Sequence, residues 1–263
     1  TNSGYTGQGI DSIAIGDTAG ASSQGVSAIA IGTSAAYINQ GTNAVAIGTN
    51  AGASGQQSVA VSIGSSAGAS GQGTGAIAIG NSAGNRTQGM QCIAIGDNAG
   101  NTSQNMQSIG VGYQAGFSNQ STGAIAIGAL AGYSGQGNYA IAIGANAGMT
   151  GMGARAIALG FNAGVTNQAA DSFYTIPGMA SMAAAASLQY DTTTGQIGPL
   201  TSSRRFKTDI KDFEPGYSDN IAHLRPVSFR FKENNVPNIG LIAEEVVEYY
   251  PEIVPLDAEG MPY

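Results

Sequence analysis

Tryptophan is absent from the 263 residues, cysteine and histidine occur once each as Cys92 and His223, and only 10% of the side chains are charged. A single cysteine excludes an intrachain disulfide. With only one histidine beside it, the usual zinc donor sets are excluded too, and neither a metal nor a cofactor is expected. Proline does not occur before Pro177, and the only charged side chains in residues 1–170 are Asp11, Asp17, Asp97, Arg86 and Arg155. So weak a field argues against phosphate-backbone recognition, and no nucleic-acid partner is expected. No run of eighteen apolar residues occurs, so no membrane insertion is expected, and the N-terminus lacks the charged-then-apolar pattern of a signal peptide. A start at Thr1 reads as that of a fragment.

Abundance lies elsewhere, in 41 glycines, and they are periodic. Glycine recurs at 16, 32, 48, 64, 80, 96, 112, 128, 144 and 160, ten times at a spacing of sixteen without insertion or deletion. Such strictness is the signature of stacked identical turns. Ahead of each glycine stand a branched residue (Ile13 to Ile157), a small one (Ala14 to Ala158) and another branched one (Ile15 to Leu159). This alternation is that of a strand, and it predicts a buried branched face and an opposite face too closely covered for anything larger than alanine.

Three residues after each glycine comes alanine, and then glycine in nine of ten turns, with Ala36 as the substitute. Eight residues after each glycine comes glutamine, from Gln24 to Gln168, broken only by Met152. Stacked turns would set these amides in a column, each within reach of the next. The expected fold is mainly β: a homotrimeric parallel β-solenoid, or β-roll, of ten sixteen-residue coils in residues 1–168, about 50 Å long at the spacing of paired strands. Thin coils of Ile and Ala favour three chains over one, because neighbouring copies would bury the second apolar face.

The repeated A-I-A-I-G-x-x-A-G pattern resembles the head repeats of trimeric autotransporter adhesins over about residues 9–168. That resemblance implies a left-handed parallel β-roll in a trimer and a role in surface adhesion. Beyond it, residues 169–201 read as a short β neck with a hairpin at Leu188, Tyr190 and Ile197 around a turn at Thr192–Gly195. Segments SSRRFKTDI (202–210), LRPVSFRFK (224–232) and IGLIAEEVVEYYPEIV (239–254) resemble the intramolecular chaperone auto-processing domain of phage tail spikes and fibres. By that resemblance residues 202–263 are the first part of an α+β chaperone domain. Ile239–Val254 is expected to be an amphipathic helix stopped by Pro251.

Members of that family cut themselves immediately before a serine, using a lysine five residues later. Carried onto this sequence, the resemblance makes Ser202 the nucleophile, Lys207 the base and Thr201–Ser202 the scissile bond. A lysine whose charge is disfavoured by burial can accept a serine proton without histidine.

In a solenoid, binding is sought in columns that vary without breaking the period. Tyr113, Phe117, Tyr133, Tyr139 and Phe161 gather there in the later coils and are candidate stacking platforms for a host-surface glycan or protein receptor. The expected function is a structural fibre of a virion for host attachment, whose chaperone drives trimerisation and is removed by self-cleavage before Ser202. A bacterial surface adhesin is the alternative. A polysaccharide-degrading spike needs paired carboxylates, which Asp11, Asp17 and Asp97 do not supply at their spacing.

Overall fold

The computed structural model describes residues 2–175, the strand backbones of 188–190 and 197–199, and residues 204, 207–212, 214, 216–230, 232, 235, 237–254, 256 and 260–262. It divides into two units, Thr1–Ser181 and Met182–Tyr263.

The first unit is a parallel β-solenoid. A coil runs through a strand of the Ile13–Ile15 type, a tight turn opened by the periodic glycine, a second strand of the Ser22–Gln24 type (reduced to an isolated bridge at Ser54 in one coil), and a second turn back to the first sheet. Register is kept at sixteen throughout, as in Ile93↔Ile109 and Gln88↔Gln104. The first-strand sheet has eleven strands, one more than the glycine count. The additional one is Phe173–Thr175, paired with Ile157–Leu159. The eleventh coil was hidden because Ile176 stands where the marker glycine should be, whereas strand pairing needs only backbone and spacing. Tyr174 occupies the alanine column of this rung, and a Cβ on Gly164 would come within 3.0 Å of its ring. A bulky ring in place of alanine is the kind of departure that terminal repeats of a solenoid show.

The faces of the first strand are reversed from expectation. Ala30, Ala46, Ala78, Ala94, Ala126, Ala142 and Ala158 are fully buried, whereas both branched columns point outward and none of their side chains is buried in the single chain. Ile47, Ile63, Ile95, Ile127, Ile143 and Leu159 are exposed. The cause is the thinness of the coil. Between the two sheets the space is taken by the buried alanines and glutamines, which leaves no room for a branched residue.

Those glutamines form the expected ladder. Gln40 Nε2 donates to Gln56 Oε1 at 3.1 Å, and the same bond repeats through Gln72, Gln88, Gln104 and Gln120 to Gln136 at 3.1–3.2 Å. Each Nε2 also donates to a strand carbonyl, as Gln88 does to Ile77 O at 2.9 Å. In this way the buried amides from Gln56 to Gln136 are satisfied, and register is fixed because a slipped coil would orphan its amide.

Glycine is required at two points of the first turn. At the marker position φ is near +127°, and a Cβ on Gly64 would lie 2.6 Å from the Gly80 carbonyl oxygen of the next coil. Four residues on, a Cβ on Gly84 at φ +52° would meet Gln88 Oε1 at 2.7 Å. Ala36 violates the second rule at φ +45°, and the Oε1 of its own coil's Gln40 is buried without a partner. Met152 breaks the ladder at the other end: Gln136 reaches only its sulfur, at 3.8 Å, and Gln168 has both amide atoms buried and unpaired. Ala36→Gly and Met152→Gln should therefore each stabilise the solenoid, by about 1–2 kcal/mol, through relief of a positive φ or restoration of a hydrogen bond. A raised thermal midpoint checks this; a lowered one in either variant would mean that the amide column is not what limits stability there.

In the second unit, strand Leu188–Tyr190 pairs antiparallel with Ile197–Pro199, the hairpin read from the sequence, with its turn outside the described residues. Val227–Arg230 pairs antiparallel with Pro237–Gly240. The helix expected over 239–254 is much shorter, Ala243–Val246, followed by a 3-10 turn at Pro251–Ile253. Ile239 and Gly240 are drawn into the hairpin, where ladder bonds outweigh weak helical propensity.

Candidate functional site

Three surfaces carry the candidate chemistry. On the solenoid, two outward columns of branched side chains run the length of one sheet, at half to partial exposure. Contiguous apolar surface of this extent marks an interaction face.

The five candidate ring residues do not form one cluster. Tyr113, Phe117, Tyr133 and Phe161 sit on the first turn of their coils, whereas Tyr139 sits on the second turn, at φ +58°, with its ring over Gly123 of the preceding coil. Phe117 and Tyr133 stack on each other, with centroids 5.1 Å apart and planes 10° from parallel, so their faces are largely used within the chain. Tyr113 and Phe161 occupy the column that follows the marker glycine and are both exposed. Between them that column holds Ala129 and Ala145. Beside it lie Gln114, Leu130, Asn146 and Asn162, all in left-handed conformation. Leu130 at φ +59° is unusual, for its column otherwise holds Asn, Ser, Thr and Gln, and such backbone is disfavoured for a bulky residue. The sequence column alone singles out Leu130 as apolar, but its left-handed conformation is visible only in the coil.

In the second unit Lys207 is exposed, and its backbone N–H donates to Arg204 O at 3.1 Å. Ser202 and Thr201 lie outside the described residues. Around the hairpin, Arg225 pairs with Glu245, whose carboxyl is held below its ordinary range by that guanidinium. Tyr217 donates its hydroxyl to Glu252; the carboxylate beside it pushes the phenol up to about 12. Tyr250 in turn donates to Tyr217 O at 3.2 Å, and the His223 ring stacks on Tyr249. Among the described residues of this unit only Val246 and Tyr250 are buried hydrophobics, while Ile221, Ile239, Ile253 and Leu256 are exposed.

Among the described residues, no helix is long and apolar enough to cross a membrane. Residues 202–255 match the family model described as chaperone of endosialidase, and residues 8–35 and 40–61 match two copies of the YadA head domain repeat. No curated protein and no solved structure matches the chain. YadA-type head repeats in the form of a β-solenoid are thus followed by a chaperone segment of the endosialidase type.

Proposed function

We propose that this chain, with YadA-type head repeats ahead of an endosialidase-type chaperone segment, is one strand of a homotrimeric fibre displayed on a virion surface for host attachment. The observation that carries the reading is the outward isoleucine face. Two apolar columns on every rung, left uncovered in one chain, fit burial against two further copies. Both family matches support a trimeric adhesin or fibre-like protein exposed at a surface. The chaperone segment favours a viral fibre over a bacterial adhesin, because the expectation for such segments is to assemble tail fibres and spikes. On this reading residues 1–168 are the shaft or head, 169–201 the neck, and 202–263 part of the chaperone, which Ser202 and Lys207 release. Receptor contact falls on the ring-bearing first turns of the later coils.

Native mass measurement tests the assembly directly. Three times 26.2 kDa is expected. A stable, monodisperse monomer would remove the basis for the fibre.

A further inference from the structure

The first turns of the later coils carry more than scattered rings. Along the column after the marker glycine, Tyr113, Ala129, Ala145 and Phe161 follow one another on consecutive rungs. Two exposed rings therefore bracket two alanines, about 14 Å apart along the axis at the spacing of paired strands. The alanines leave a notch. In the neighbouring column Asn146 Nδ2 donates to Asn162 Oδ1 at 2.9 Å, which leaves each of these half-buried amides with further donor and acceptor capacity toward solvent. Between them and Gln114, Leu130 holds an apolar side chain in a backbone conformation that disfavours it. Strain of this kind, retained where Asn or Ser would relieve it, is a mark of a functional surface.

Charge narrows the ligand. From residue 98 to residue 154 the chain contains no Asp, Glu, Lys, Arg or His; the nearest charges are Asp97, one rung before Tyr113 in the same column, and Arg155 on the second turn, which is paired with Asp171. A sialylated, sulfated or phosphorylated ligand would find no counter-charge there, and an ionic peptide would lose hydration without compensation. A purely apolar partner would leave the flanking amides unpaired, which is costly on burial. What fits rings at both ends, a methyl floor and amides along one side is a molecule with apolar faces and hydroxyl-bearing edges.

We propose that the notch between Tyr113 and Phe161 binds an uncharged oligosaccharide. This rests on the receptor-contact reading above and gives it a ligand class. The test uses the assembled protein on an array of uncharged hexose and N-acetylhexosamine oligosaccharides, with sialylated and sulfated counterparts beside them. Binding to uncharged members is expected, changing little between low and high salt because no ion pair is involved. Tyr113→Ala and Phe161→Ala should each weaken it about tenfold. Ala129→Arg, which fills the notch from an exposed position, should abolish it while the native mass stays that of the parent. Retention only of charged glycans, or full binding by Ala129→Arg, overturns the proposal. Attachment to host cells separates the two levels: loss of attachment in Ala129→Arg without any glycan signal leaves the contact surface standing and sinks the saccharide, whereas unchanged attachment sinks both.

Discussion

Ser202→Ala and Lys207→Ala, each made in the natural full-length protein, are expected to leave a single band on a denaturing gel where the parent gives two, divided ahead of Ser202. In the proposed reaction the Ser202 hydroxyl adds to the Thr201 carbonyl while its proton passes to the Lys207 amine. The Ser202 nitrogen then leaves the carbonyl carbon and takes up that proton, and water hydrolyses the resulting ester to free the Thr201 carboxyl and restore the hydroxyl. The chain's one imidazole, His223, stacks on Tyr249, and the proposed base is the lysine. A lysine acts as a base only with its amine uncharged, which requires desolvation. Lys207 is exposed in the single chain, so burial has to come from assembly. Cleavage should therefore follow trimerisation. Release of the chaperone would leave a fibre that unfolds slowly without its helper. Two bands from both alanine variants, or a parent that assembles and never divides, would show that this pair does not cut the chain.

The double variant Ile95→Asp and Ile127→Asp should run as a 26.2 kDa monomer with its β-sheet signal retained. Both residues are exposed on the outward face of one chain, so the carboxylates are hydrated before assembly. In a trimer that buries this face they would be dehydrated and brought near their symmetry mates, at a cost of several kcal/mol for each charge. Against that, each half-exposed branched side chain covered by a neighbour stabilises by on the order of 1 kcal/mol. Many rungs contribute, so one variant on an end rung would be absorbed, and central rungs are chosen for that reason. Ala94→Leu tests the same assignment from inside. Ala94 is fully buried under the glutamine ladder, and three added carbons there should cost about 1–3 kcal/mol by overpacking and lower the melting point of the coil itself. A trimer that tolerates both aspartates, or an Ala94→Leu chain that melts no lower than the parent, would mean that the two faces are assigned the wrong way round.

The two cleavage variants and the face variants are also linked. If burial of Lys207 comes from assembly, the Ile95→Asp, Ile127→Asp chain should stay uncut although its Ser202 and Lys207 are intact. Rapid cutting by that monomer would detach the chemistry from the assembly.

Period, strand positions and the amide column were legible in the residues alone, because each is a rule of spacing: sixteen residues per coil, alternation on a strand, one glutamine per rung. Interruptions were legible as letters but not as consequences. Ala36 and Met152 are single departures in a column, and only the coil shows that the first sits at φ +45° and that the second faces orphaned amides in Gln168. The eleventh rung escaped because Ile176 erased the marker while Phe173 kept the register.

What the sequence could not decide is which side of Ile-Ala-Ile faces in. Alternation defines two faces and names neither, and hydrophobicity alone votes for isoleucine inside. The separation of the two sheets decides otherwise: a coil closed by tight turns is filled by alanine methyls and glutamine amides, and its branched residues are left for other chains to cover. In the same way five aromatic positions were visible in the sequence. Tertiary structure divided them between two turns, stacked Phe117 on Tyr133 and left Tyr113 and Phe161 exposed, because a ring's neighbours are set by the rungs above and below it rather than by the residues beside it in the chain.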